Sequence, residues 1–195
     1  MGLDSVEFIQ NLEVYFGPIS DREAAQLYRV EEVVNYLVRR NAFSEDQSPV
    51  ELALLQKLQI AFSQTFPHRQ NSMGSEEALG VYFRSETAHD QWQQVVWFLG
   101  MEMPHLDRVP LRQLSSWRAI FRPVTKDRIP LDAHTLNDLV HWLMALHFKT
   151  LLPREKMSCA LEVKAVVFGM IHHGFGIPVD EIRLRHRLAD DFGVD

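Results

Sequence analysis

Apolar residues recur at steps of three and four through most of this chain, and period-two alternation is nearly absent. The pattern predicts an all-α protein of roughly seven to nine helices. Val6, Ile9, Leu12 and Phe16 mark a first amphipathic helix, stopped by Gly17-Pro18. Ser20-Asp21-Arg22-Glu23 carries the Ser-x-x-Glu pattern of a capping box, which predicts a short helix through Ala24, Ala25 and Leu27. Val30, Val33, Val34 and Leu37 form the stripe of a third helix, whose end near Arg39-Arg40 sets positive charge at the negative pole of the helix. The polar run from Ser44 to Pro49 reads as a linker.

Beyond it, Leu54, Leu55, Leu58 and Phe62 continue a helical pattern over 50–66, and 67–75 is a loop by composition. Trp92, Val95, Val96, Leu99 and Met103 predict a core helix over 90–103. Further helical patterns cover 111–121 and, after Pro130, the face formed by Leu136, Leu139, Val140, Leu143 and Leu146. Leu161, Val163, Val166, Val167, Met170 and Ile171 predict a last long helix running into Gly174 and Gly176. Trp92, Trp97, Trp117 and Trp142 all fall within apolar patterns, so core packing is expected of each.

The 195 residues suffice for one large or two small domains with a true core. A formal charge of −6 disfavours nonspecific attachment to nucleic acid and suits docking on basic surfaces. No apolar run approaches the roughly 20 residues that span a bilayer, so membrane insertion is not expected. The single cysteine, Cys159, is expected to be a small buried residue and fits a reducing, cytoplasmic location.

The two ends of the chain belong together when read in rotated order. Ala189-Asp190-Asp191-Phe192-Gly193-Val194-Asp195 leads into Gly2-Leu3-Asp4-Ser5-Val6-Glu7-Phe8. The junction resembles the segment around the prosthetic-group site of acyl carrier proteins. Residues 161–195 are similar to the family's first helix and long loop, and residues 2–37 to its remaining helices, about 70 residues in all. The resemblance implies a carrier-like helical bundle built from 1–43 together with 157–195. Residues 44–156 are then a helical insertion or a degenerate second carrier-like unit. The rotated order reads as circular permutation, which is tolerated where termini lie at an exposed loop. Head-to-tail domain swapping is the alternative.

The resemblance further implies a noncatalytic protein that presents an acyl or peptidyl group to partner enzymes on a 4'-phosphopantetheine arm. Ser5 is the candidate attachment residue. Asp4, Glu7, Glu13, Asp191 and Asp195 are candidates for the acidic surface that partners read. One departure bears on the arm. The gapless register puts Gly2 at the family's serine position, whereas the Asp4-Ser5-Val6 register shortens the second helix by three residues. An arm-less interaction module of the same fold is therefore the second reading.

Catalytic patterns are weak. His134, Asp138 and His141, at steps of four and three, could share a helix face and bind a metal or act as base and orienting acid. They lack the Glu that follows the first His in zinc-protease helices, and solvated or core-edge histidines are expected instead. His172-His173-Gly174 resembles the double-His motif of acyl-condensing enzymes, but Ile177-Pro178 stands where Asp-Gly is required, so a polar helix terminus is expected. No metal site and no catalytic residue is assigned, and an enzyme built around His134 and His141 is the weakest reading.

Overall fold

The computed structural model describes residues 5–67, 74–83, 87–106, 128–129 and 134–192. These are mainly helical, and the fold is all-α. The helices are α1 (Ser5–Phe16), α2 (Asp21–Ala24), α3 (Val30–Asn41), α4 (Pro49–Thr65), α5 (Ala88–Leu99), α6 (Leu136–Leu146), α7 (Phe148–Leu151), α8 (Ala160–Phe175) and α9 (Leu188–Phe192). A two-residue parallel pair, His105–Leu106 with Arg128–Ile129, is the extended structure among the described residues apart from isolated bridges. The predicted helix over 111–121 lies outside the described residues.

Contacts divide the chain into two compact units, Met1–Ala53 with Val140–Asp195, and Leu54–Leu139. In the first, α8 is the central element. It packs against α1, α3 and α7, and its buried residues fall on nearly every side of the helix, which is why its sequence is apolar almost all round. The inward face of α1 is Phe8, Leu12 and Phe16, and Phe8 meets Phe175 of α8 with ring centroids 5.8 Å apart. Val6 does not belong to that face. It was expected in the apolar stripe but is 62% exposed, because Phe8 takes the inward direction. All four stripe residues of α3 are buried as expected.

Local chemistry sets the helix ends. Ser20 and Glu23 form the expected capping box on α2. Gly17 follows α1 at φ +94°, a backbone region that other residues adopt at a cost. Gly176 plays the same part after α8. The loop before α9 is tied to the start of α3 by three backbone bonds: Val30 N–H to His186 O (3.0 Å), Glu31 N–H to Leu184 O (2.9 Å) and Leu188 N–H to Tyr28 O (2.9 Å).

The polar run from Ser44 to Pro49 is bound, not free. Ser44 N–H donates to Ser158 O (3.1 Å) and Ala160 N–H donates to Ser44 O (2.8 Å). Ser48, fully buried, donates its hydroxyl to Glu162 Oε1 at 2.7 Å and accepts from the Glu51 amide at 3.1 Å. The second carboxylate oxygen of Glu162 accepts from the Ser158 amide at 2.7 Å. A 0%-exposed carboxylate thus joins the start of α4 to the start of α8.

In the second unit, Phe62, Phe66, Tyr82, Phe83 and Trp92 form a chain of mostly edge-on ring contacts. Trp92 also donates its indole N–H to Pro104 O at 3.0 Å. α5 ends at Leu99, with Gly100 at φ +64°, so Met103 lies beyond the helix predicted for it. Trp92 and Trp142 are buried as expected, whereas Trp97 is 76% exposed; Trp117 lies outside the described residues.

Candidate functional site

α1 is twelve residues long, and Ser5 is its first described residue. With one face buried by Phe8, Leu12 and Phe16, helical periodicity turns Val6, Glu7, Gln10, Asn11 and Val14 outward, and all five are exposed. Val14 reaches 84% exposure. The outward face is therefore polar, with one exposed valine near each end of the helix. Exposed amides at the start of a helix favour an anionic group there.

The acidic candidates divide by geometry. Glu7 lies on the exposed face. Glu13 does not: its Oε1 accepts from the Ile19 amide at 2.8 Å in a partly buried setting, so it closes the turn after α1. Asp191 accepts the Arg187 amide on Oδ2 at 2.7 Å, capping α9, while its side chain stays exposed, and Asp190 pairs with Arg187. Asp4 and Asp195 lie outside the described residues, as does Gly2.

The histidine patterns resolve into structural roles. α6 begins at Leu136, so His134 precedes the helix, with its Nδ1 3.9 Å from Asp138 Oδ2. Asp138 is engaged with Thr135, accepting from its amide (2.8 Å) and hydroxyl (3.0 Å), while the Asp138 amide donates to Thr135 Oγ1 (3.1 Å). This reciprocal cap starts α6. His141 Nε2 lies 2.8 Å from Glu51 Oε1, a partner that sequence spacing did not suggest. Among the described residues there is no cluster of three metal-ligating side chains.

His172 donates Nδ1–H to Ile177 O (2.8 Å) and His173 donates Nε2–H to Leu146 O (3.2 Å), since a carbonyl can only accept. Partial desolvation of its ring holds the His173 pKa below its ordinary value, although the residue as a whole is exposed. The Leu146 carbonyl opposes that shift, and His172, Lys149 and His147 add to it. The unfolded chain takes up this proton near pH 6.5, the folded protein only at lower pH, so the unfolded state binds more protons as pH falls through that window. Stability is therefore expected to be full at neutral pH and to decline below about pH 6.5. Urea midpoints measured down to about pH 5.5 check this, and His173→Gln should flatten the decline.

Cys159 is 1% exposed, and burial pushes its thiol pKa up, which keeps it protonated and unreactive. Sequence reasoning missed the Ser48–Glu162 joint and the outward turn of Val6 and Val14. The first left a trace in the Ser48-x-x-Glu51 spacing of a helix start. Among the described residues no helix is long and apolar enough to cross a membrane. Comparison with protein-family models, with curated proteins and with solved structures found no match.

Proposed function

We propose that the chain is a noncatalytic carrier-like protein. It docks on partner enzymes through the outward face of α1 and presents an acyl or peptidyl group on a 4'-phosphopantetheine arm at Ser5. The observation that carries this reading is the gathering of α1, α3 and α8 into one unit, with Ser5 in the first turn of the helix whose outer face is exposed. The resemblance requires α8 to play the first helix, α1 the second, α2 the short third and α3 the last.

The residues suit the arm. A hydroxyl at a helix start can form the phosphodiester link, and the first-turn amides and helix dipole favour its negative charge. When attached, the arm supplies a thiol that holds cargo as a thioester. Glu7 and the valines then meet the partner, where charge steers encounter and apolar contact holds it.

A second reading, an arm-less interaction module, is favoured by Gly2 in the gapless register and by the exposed valines. Intact-protein mass spectrometry after incubation with coenzyme A and a broad-specificity phosphopantetheinyl transferase separates the two. A gain of one phosphopantetheine mass, mapped to Ser5 and lost in Ser5→Ala, is expected. No gain on the folded protein would discard the arm and leave the module.

A further inference from the structure

We infer that the C-terminal end of α1 binds a phosphate-class oxyanion between Arg40 and Arg154, a site independent of whether Ser5 carries a group. The geometry centres on Gly17. A Cβ placed on this residue would lie 3.3 Å from Arg154 Nη2 and 3.8 Å from both Arg154 Nη1 and Arg40 Nη2. Three guanidinium nitrogens from two arginines thus converge on the side of Gly17 that bears no side chain. An oxygen lying outward of that point meets N–H donors from two forks, the arrangement by which arginine reads phosphate.

Each arginine is positioned by its surroundings. Arg40 donates Nη1–H to Gly17 O (3.4 Å) and to Tyr36 Oη (3.3 Å), and its guanidinium lies 5.8 Å from the Tyr36 ring centroid. Arg154 stands in the three-residue turn Arg154–Lys156, which follows α7. Both side chains are exposed, and among the described residues no carboxylate forms an ion pair with either. Glu23 acts on Arg40 through space and bonds Tyr36, while the amide and hydroxyl of Ser20 donate to its carboxylate at 2.9 and 2.6 Å. The bond from Arg40 to Gly17 O covers a carbonyl that would otherwise repel an anion.

Two guanidiniums carry two positive charges, and a phosphate monoester carries about −1.5 to −2 at pH 7, so the charges match; a single carboxylate leaves an excess. Any side chain at residue 17 would enter this space and would be strained at φ +94°.

Titration of the full chain with inorganic phosphate, with ionic strength held by chloride and arginine Nε–H signals followed by NMR, tests the inference. Arg40 and Arg154 are expected to shift together and saturate, while the exposed Arg22 and Arg39 stay unchanged. Arg154→Gln should weaken binding about tenfold at unchanged melting temperature, and Arg40→Gln should do the same. A parallel titration with glycerol phosphate distinguishes an organic monoester, which then binds at least as tightly, from free phosphate, which then binds alone. Unsaturable shifts spread over all exposed arginines, or full affinity in folded Arg154→Gln, would overturn the site.

Discussion

Gly169→Val is expected to destabilise the protein by about 3 kcal/mol, the upper end for forcing extra atoms into a packed core. Gly169 sits in mid-α8, where glycine costs about 1 kcal/mol against alanine, so helix propensity alone would predict a gain from replacing it. Packing reverses that sign. A Cβ there would fall well inside contact distance of Ala145 O and Phe148 Cδ1, and 3.0 Å from Phe148 Cε1. The first obstacle is backbone at the end of α6, which cannot turn aside as a side-chain tip can. Phe148 is itself held by edge-on contact with Tyr15, whose hydroxyl donates to Leu152 O. Chemical denaturation of the variant checks the loss. Gly74→Ala, where an added Cβ meets nothing within 4 Å, should stay within about 0.5 kcal/mol of the parent. Equal stability of Gly169→Val and parent would mean that α8 and α6 do not approach this closely.

The second large effect concerns Glu162. Glu162→Ala removes the acceptor of the buried Ser48 hydroxyl and of the Ser158 amide, and each donor left without a partner costs about 1–3 kcal/mol. A total loss of about 2–5 kcal/mol is expected. Ser48→Ala alone should cost less, since it leaves the carboxylate its bond from Ser158 and deprives α4 of one cap. In the double variant the two losses should fall short of their sum, because the bond they share is removed once. Strict additivity in denaturant midpoints would show that Ser48 and Glu162 act separately. The joint bears on the proposed docking face because α8, which it anchors, is the element on which α1 rests.

Much of the helix pattern was legible in the sequence. The stripe of α3, the capping box of α2, the stop at Gly17 and the run of α8 into Gly176 all depend on residues near one another in the chain, where period, cap and stop signals act directly. The all-α class follows from the same local rules. Cys159 was likewise readable as a buried residue. Legibility failed where a residue's environment comes from elsewhere in the chain. Val6 looked like core until Phe8 took the inward position, and Trp97 looked like core until its direction on α5 left it in solvent. His141 was expected as a solvated or core-edge histidine, and only the fold showed that Glu51, 90 positions earlier, is its partner.

The acidic candidates follow the same division. Sequence could mark Glu7 and Glu13 as charges on one helix. Only the turn after α1, which brings the Ile19 amide back onto Glu13, assigned the latter to the fold and left the former on the outer face. The convergence of Arg40 and Arg154 on Gly17, and of Ser48 on Glu162, joins residues 114 positions apart in the same way. Local periodicity, caps and stops decided where helices begin and end, because those free energies act over one or two turns. The tertiary structure alone decided which faces meet, which charges pair and which glycine must stay bare, because those contacts form between residues that the sequence does not place side by side.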